Sequence, residues 1–265
     1  MIKFSIVTIT FNAEASLSRT LNSVLDQSYP EIEHIIVDGA STDGTVAMAE
    51  RYRAQSDKAA NGHTVIINSE PDRGLYDAMN KGLKRATGDY VCFLNAGDFL
   101  PATDTIETIA KTAMAARTAA GELPAVVYGD TDIVDGNGNY LHPRHLRPPR
   151  QLTWRSFLKG MLVCHQAFYA RTDIASRTPY NLRYKYSADV DWCIRVMKEA
   201  DRLGLPLANS NATVACYTEE GQTTLHHSES LRERFHVMAS HYGLPLTIMV
   251  HTLLFPARSI LRKLR

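Results

Sequence analysis

An amide, a glycine and a carboxylate follow one short apolar run, and together they could bind a cation. The run, residues 90–94 (YVCFL), predicts a buried strand. It ends in Asn95, Ala96, Gly97 and Asp98. Carboxylate oxygens suit Mg²⁺ and Mn²⁺, but Asn, Gly and Asp are also common turn residues. Two interpretations stay open here: an ordinary turn, or a strand that delivers Asp98 to a cation.

Three more polar clusters follow predicted strands. Apolar runs predict strands over 4–10, 32–37 and 65–68, and helical periodicity predicts helices over 15–26, 45–54 and 75–86. The clusters are 10–12 (TFN), 38–43 (DGASTD) and 70–73 (EPDR). Alternation at this spacing predicts parallel strands joined by right-handed crossovers. We therefore expect all four clusters at one edge of the sheet, where such sheets bind ligands.

The second half of the chain is less regular. Its patterns predict helices over 101–120, 187–199 and 225–242, strands over 125–130, 162–170 and 214–217, and a long loop over 137–150. It contains no internal repeat, low-complexity tract or clear linker. We expect one compact α/β domain.

Composition excludes several classes of protein. A net charge of +1 gives no global field for nucleic acid. No window of eighteen apolar residues predicts a membrane span. The four cysteines form no C-x-x-C and are expected in the core of a protein from a reducing compartment, with a zinc site as the alternative.

Several known catalytic and phosphate-binding signatures are missing. The sequence has no G-x-x-x-x-G-K-[ST], no G-x-G-x-x-G after the first strand, no G-x-S-x-G and no H-E-x-x-H. His226 and His227 are adjacent, so on a helix or strand they would point apart. The remaining candidates are the acids and bases at the strand ends.

Those residues carry a resemblance to a known family. Residues 3–100 include V-D-G-x-S-x-D-G-T, D-R-G-x-Y-D-A-M-N-K-G and the N-A-G-D tip, and they resemble family 2 glycosyltransferases with the GT-A fold. The resemblance continues more thinly through 165–169 and 187–195. It implies a Rossmann-like, mostly parallel sheet flanked by helices, with a C-terminal helical extension. The implied parts are a nucleotide-sugar-binding half (1–100), an acceptor-binding and catalytic half (101–224) and C-terminal helices (225–265).

The resemblance implies a nucleotide site at the strand ends. Asp38 would accept a hydrogen bond from the base, and Phe11 offers a stacking surface. For Asp38 and Asp43, the alternative is capping of the loop and the next helix. The other residues implied to border the nucleotide are Thr8, Thr10, Asn12, Glu14, Asp72, Arg73, Asn95 and Ala96. Arg73 would meet the diphosphate or pair with Asp72.

Other residues are implied to border the sugar or the acceptor. Asp77, Asn80 and Lys81 share one face of the helix predicted after Arg73, although Lys81 also fits a solvated surface. His165 and Gln166 would line the acceptor site, and a buried structural histidine is the alternative. The late segment 217–227 resembles a loop that closes over the diphosphate, with His226 or His227 as a donor.

The resemblance also implies a divalent metal, Mn²⁺ or Mg²⁺. The family carries an acidic D-x-D-type tip on the fourth strand, and here Asn95 and Gly97 replace two of its positions. Asp98 alone keeps a carboxylate. One carboxylate is sufficient when substrate phosphates and water complete the metal shell. We expect weak metal binding without nucleotide.

The catalytic base is implied by a second match. In the family it is the Asp of an E-D pair near a helix start, and here Asp189 matches it while Ala188 replaces the Glu. The start of a helix also favours an acid electrostatically, which is compatible with catalysis. Asp191 is a second acid that would border the acceptor or pair with Arg195 at i+4.

Taken together, the resemblance implies an inverting glycosyltransferase. It would move a sugar from a nucleoside-diphosphate sugar, UDP favoured over GDP, to a hydroxyl of a glycan or lipid-linked glycan of the bacterial surface type. Two alternatives stay open: a non-catalytic nucleotide-sugar or glycan-binding module, and a sugar-phosphate nucleotidyltransferase. The expected location is the cytoplasm.

The C-terminal residues add one more expectation. Residues 244–256 are mostly apolar, and 257–265 (ARSILRKLR) carry four basic residues with apolar ones at helical spacing. Such an end is typical of contact with an anionic membrane surface. A helix packed on the domain with a solvated basic face is the alternative.

Overall fold

A mixed sheet forms the centre of the protein in this computed structural model, which describes residues 1–218 and 227–254. Within them the strand order is β3-β2-β1-β4-β7-β5-β6, and β8 also pairs with β5. The strands are β1 (Phe4–Thr10), β2 (Ile32–Asp38), β3 (Thr64–Ser69), β4 (Tyr90–Phe93), β5 (Val126–Val134), β6 (Tyr140–Pro143), β7 (Phe168–Arg171) and β8 (Leu207–Thr218).

The first four strands are parallel, as predicted. β1 pairs with β2 and β4, and β2 pairs with β3, all in parallel register. The connections contain α1 (Glu14–Leu25), α2 (Thr45–Ala59) and α3 (Leu75–Leu83). Because parallel strands end on the same side, the four polar clusters lie at one edge of the sheet.

The second half differs from the prediction at two places. Residues 162–170 do not form one strand: His165–Ala167 is a 3₁₀ turn, and β7 begins only at Phe168. In a strand, His165 and Gln166 would point to opposite faces, whereas the turn lets both reach the tip of β4. The predicted loop over 137–150 contains the short strand β6, whose four mostly exposed residues (YLHP) gave no periodic signal.

The remaining helices cover the sheet and extend beyond it. They are α4 (Thr105–Ala115), α5 (Thr172–Ala175), α6 (Ala188–Leu203), α7 (His227–Tyr242) and α8 (Leu244–Met249), with a 3₁₀ segment at Trp154–Lys159 and a π-helical turn at Val250–Leu254. Among the described residues, none of the helices is both long and apolar enough to cross a membrane. All four cysteines are buried and none forms a disulfide, which confirms their predicted place in the core.

An aromatic stack anchors α6 under the sheet. The Trp192 ring lies 4.9 Å from Tyr180 and 5.5 Å from Phe93, measured between centroids, and Tyr180 lies 5.5 Å from Tyr76 of α3. Aromatic pairs of this kind contribute about 0.5–1.5 kcal/mol each beyond their buried area. The stack therefore fixes the first turns of α6, which carry Asp189, against β4 and α3.

Candidate active site at the strand ends

A tight turn at the tip of β4 is tied to α1. Gly97 has a φ of 99°, a conformation that glycine adopts without strain. Its N–H donates to Thr20 Oγ1 at 2.9 Å, and that hydroxyl donates to the Asp98 carbonyl at 2.6 Å. Gln166 Nε2 donates to Asp98 Oδ2 at 2.9 Å. The turn and the carboxylate are thus both held in place, so the turn and cation interpretations are compatible.

Burial makes ionisation of the Asp98 carboxylate unfavourable. Burial raises its pKa to about 6, although the hydrogen bond from Gln166 and the nearby His165 oppose this rise. Among residues 1–218 and 227–254, no three His, Cys, Asp or Glu side chains converge to hold a metal. One carboxylate with a deficit of positive charge fits a divalent cation that takes its other ligands from phosphates and water.

A chain of polar contacts joins this tip to Asp189. Asn95 Nδ2 lies 3.1 Å from His165 Nε2, and His165 Nδ1 lies 3.4 Å from Asp189 Oδ2. An amide NH₂ can only donate, so Nε2 accepts and the ring proton is on Nδ1, directed at Asp189. Asn95 Oδ1 is buried and has no partner in the described part of the chain, which leaves it available to a ligand donor.

Asp189 is ionised and reachable. Its Oδ1 accepts hydrogen bonds from Tyr76 Oη at 3.2 Å and from the Val190 N–H at 2.9 Å. Burial opposes ionisation, but His165 and the charge of Arg234 more than offset it and hold the pKa of Asp189 below its usual value. The side chain is 17% exposed, so a solute can reach it. These are the properties of a general base.

Asp38 organises the loop after β2. Its carboxylate accepts hydrogen bonds from Thr10 Oγ1 at 2.9 Å and Ser69 Oγ at 2.7 Å, and from both the N–H and the hydroxyl of Ser41. Burial raises the pKa of Asp38, and these bonds lower it further than burial raises it. The loop-capping alternative therefore accounts for all the contacts of Asp38, and base recognition stays a prediction.

The residues of the first loop differ in their distance from the edge. Thr8 is fully buried, two residues before the end of β1, and its Oγ1 lies 2.9 Å from His34 Nε2. The structure therefore does not bring Thr8 to the site. Asn12 and Glu14 accept the N–H groups of Thr42 and Gly44 at 2.9 Å and hold that loop. Phe11 is 66% exposed, as a stacking surface must be.

A cavity of about 790 Å³ opens beside these loops. Of the predicted residues it is lined by Thr10, Phe11, Asp72, Arg73 and Asp77. Residues not predicted for the site complete it: Ile9, Gly39, Gly74, Leu75, Tyr76, Leu182, Tyr184, Lys185 and Tyr186. The tyrosine-rich run 180–186 (YNLRYKY) was the sequence signal for this wall.

Several predicted ligand-binding residues have structural partners instead. Asn80 bonds both ways with the backbone of Tyr180, at 2.8 and 3.0 Å. Lys81 pairs with Glu70 at 3.2 Å and donates to the Pro71 carbonyl at 2.6 Å. Arg73 pairs with Asp77 at 3.2 Å rather than with Asp72. The partners of Asn80 and Lys81 occupy groups that were expected to face the substrate, whereas Arg73 and Asp77 still line the cavity.

Three further assignments have different outcomes. Asp191 is buried and bonds Arg195 Nε at 2.8 Å, as the i+4 spacing predicted, and it also bonds His241 Nε2 at 2.8 Å. The structure therefore does not bring Asp191 to the acceptor side with Asp189. The predicted loop with His226 lies outside the described residues, as does the His227 side chain. Ala96 packs beside α1, and its N–H donates to the Ile9 carbonyl at 3.3 Å.

Comparison with known proteins gives the family. The model of the family described as Glycosyl transferase family 2 matches residues 5–176. A PGL/p-HBAD biosynthesis glycosyltransferase of Mycobacterium bovis is 33% identical over 250 residues, covering 93% of this chain and 89% of that protein. A putative teichuronic acid biosynthesis glycosyltransferase of Bacillus subtilis, TuaG, is 42% identical over 94 residues, covering 36% of this chain and 35% of that protein.

Solved structures agree on the fold. S. aureus TarS 1-349 in complex with UDP-GlcNAc has a TM-score of 0.69 at 20% identity, covering 94% of this chain and 67% of that one. The mannosyltransferase PcManGT of Pyrobaculum calidifontis, in complex with GDP-Man and Mn²⁺, has a TM-score of 0.58 at 17% identity, covering 99% and 79%. The GT-A fold expected from the sequence is confirmed. The chain belongs to glycosyltransferase family 2 and is a glycosyltransferase.

Proposed function

We propose that this enzyme transfers a sugar, with inversion, from a nucleoside-diphosphate sugar to a hydroxyl of a glycan or lipid-linked glycan. The observation that carries the proposal is Asp189, an ionised and reachable carboxylate joined through His165 to the turn that holds Asp98. UDP is favoured as the nucleotide, as the sequence resemblance implies, and the neighbour TarS was solved in complex with UDP-GlcNAc.

The reaction needs one proton acceptor. The acceptor oxygen forms a bond to the anomeric carbon while the bond from that carbon to the diphosphate breaks. The electron pair of the broken bond leaves with the diphosphate. The hydroxyl proton passes to the Asp189 carboxylate. Tyr76 stays protonated, because burial and the charge of Asp189 raise its pKa well above the ordinary value. It can therefore keep donating to Oδ1 and orient the base.

Asp98 is the residue that would hold Mn²⁺ or Mg²⁺. Such a cation supplies positive charge that stabilises the leaving diphosphate. Gln166 orients the carboxylate for this role, and Thr20 fixes the turn beneath it. Phe11 and Asp38 are proposed to meet the base, and Arg73 the diphosphate, through the cavity that Phe11 and Arg73 line.

A direct assay tests the activity and the base together. The protein is incubated with UDP- and GDP-sugars, with Mn²⁺ or EDTA and a glycan-lipid extract, and nucleotide release is followed. We expect release with a UDP-sugar that Mn²⁺ supports and EDTA stops. Asp189→Asn should abolish it, and Glu199→Ala, which removes a carboxylate paired with Arg202 further along α6, should not. Full activity of Asp189→Asn would overturn the assignment of the base.

The acceptor class suggests a place of action. The relatives named for PGL/p-HBAD and teichuronic acid biosynthesis support a surface glycan or glycolipid as acceptor. Leu244, Ile248 and Met249 of α8 are exposed apolar side chains, and the basic residues 258–265 follow outside the described part. We propose that this end rests on the anionic inner face of the plasma membrane. Flotation with anionic liposomes should be lost when residues 244–265 are removed, and equal flotation would contradict it.

A further inference from the structure

One carboxylate of α7 holds the chain just before the proposed base. The N–H of Lys185 donates to Glu233 Oε1 at 2.8 Å, and the N–H groups of Tyr186 and Ser187 donate to Oε2 at 2.6 and 3.0 Å. Bonds from N–H groups to an ionised carboxylate are about twice as strong as neutral ones. Asp189 follows two residues later, so these bonds fix the entry to its helix.

The entry to α6 has no local cap. The side chain of Ser187, at the N-cap position, makes no capping bond to the helix, and its hydroxyl donates instead to the Ser230 carbonyl at 3.2 Å. The next residue, Ala188, is buried and offers no polar group. Besides the aromatic stack of Trp192, contacts from α7 through Glu233 and Ser230 therefore hold the first turn of α6.

The segment held by Glu233 is also a wall of the active-site cavity. Leu182, Tyr184, Lys185 and Tyr186 line the cavity together with Phe11 and Asp72 on the loops after β1 and β3. Any displacement of residues 185–187 would move this wall and the base together. A displacement of about 1 Å at a reacting group can lower the rate about a hundredfold.

We propose that Glu233 is a positioning residue, which holds the cavity wall of residues 182–186 and Asp189 in the arrangement needed for transfer. The proposal rests on the proposed function, because it takes Asp189 as the base. Glu233 makes its contacts to backbone N–H groups and acts through the segment, not on the substrate. Its removal should affect turnover more than nucleotide binding, since Phe11, Gly39 and Asp72 lie on other loops.

The experiment compares Glu233→Ala, Glu233→Gln and the control Glu199→Ala in the full chain. Amide hydrogen exchange at residues 185–187 reports the clamp without turnover, and kcat, UDP affinity and Tm are measured alongside. In Glu233→Ala we expect exchange of those three amides to quicken at least about tenfold and kcat to fall about 10- to 100-fold. UDP affinity should stay within about twofold. Glu233→Gln keeps one carbonyl acceptor and should recover part of kcat.

Three results would overturn the proposal. One is unchanged exchange at residues 185–187 in Glu233→Ala. Another is a kcat that falls no further than in Glu199→Ala. The third is a parallel loss of UDP affinity, kcat and Tm in both Glu233 variants, which indicates a general folding role. If the wild-type protein transfers no sugar, the proposed function fails instead, and exchange at residues 185–187 alone decides whether Glu233 holds the segment.

Discussion

His165 Nδ1 lies 3.4 Å from Asp189 Oδ2, and this contact joins the tip of β4 to the start of α6. The two residues are 24 positions apart, on a 3₁₀ turn and a helix. His165 also contacts Asn95 through its other ring nitrogen at 3.1 Å. The imidazole therefore links the turn that carries the proposed metal ligand with the proposed base.

Replacing His165 should shift the pH dependence of transfer. Burial opposes ionisation of Asp189, and the hydrogen bond from His165 is the largest effect that lowers its pKa. In His165→Ala the pKa of Asp189 rises, so the base is protonated at a higher pH. We expect the acidic limb of the kcat profile to move up by about one to two pH units, because a hydrogen bond to a charged group contributes roughly 1.5–3 kcal/mol.

The pH profile of kcat measures this shift when it spans the ordinary Asp pKa, from about pH 3 to about pH 8, with the exposed His145→Ala as the control. His165→Gln can still donate to Asp189 and should move the limb less than His165→Ala. An acidic limb at the wild-type position in His165→Ala would show that His165 does not tune the base.

The sequence anticipated the parallel half of the sheet because its signals are local. Buried apolar runs such as residues 4–10 and turn residues such as Gly97 depend on neighbours in the chain. Contacts between distant residues carry no such local signal: Asn80 bonds Tyr180, 100 positions away, and Glu233 bonds residues 46 to 48 positions away. A helical face shows which side chains lie together but not which distant backbone covers them, so Asn80 was expected at the substrate.

Asp191 should matter for stability rather than for chemistry. It is buried between Arg195 and His241, and it connects α6 to α7. Asp191→Asn removes the charge of a buried carboxylate that bonds a partly exposed Arg195 and His241, and hydrogen bonds to a charged group contribute about 1.5–3 kcal/mol each. We expect a lower free energy of unfolding in urea, with kcat of the folded fraction within about threefold of wild type.

The contrast with Asp189→Asn controls this prediction, since that variant should lose activity and keep most of its stability. The contribution of Asp191 also has a defined pH dependence. Burial raises the pKa of Asp191, but His241 and Arg195 lower it by more, so its stabilisation is present above the ordinary Asp pKa and is lost as the pH falls through the lowered value. A wild-type-like Asp191→Asn at pH 7 would argue against this role.

Gly39 should control access to the nucleotide side of the cavity. A Cβ at this position would lie 2.6 Å from Asp72 Oδ2 and 3.2 Å from Phe11 Cδ2. Gly39→Ala therefore displaces both side chains at the proposed binding site of the nucleotide base. We expect UDP affinity, measured by calorimetry, to fall about tenfold, which corresponds to about 1.4 kcal/mol.

Gly136→Ala is the matched control, because a Cβ there meets nothing within 4 Å. It should leave both UDP affinity and Tm unchanged. Equal UDP affinity in Gly39→Ala and Gly136→Ala would place the nucleotide away from Phe11 and Asp72.

The β4 tip should bind metal through one carboxylate and the substrate's phosphates. Asp98→Ala removes that carboxylate and should abolish the Mn²⁺-dependent part of transfer. Asn95→Asp should be tolerated or should tighten Mn²⁺ binding, because it adds a carboxylate ligand two residues before Gly97. Mn²⁺ titrations with UDP present and absent measure both effects, and wild-type binding should be weak without UDP.

Thr20→Ser, which keeps the hydroxyl that fixes the turn, is the control. Undiminished Mn²⁺-dependent transfer by Asp98→Ala would mean that the cation is held elsewhere.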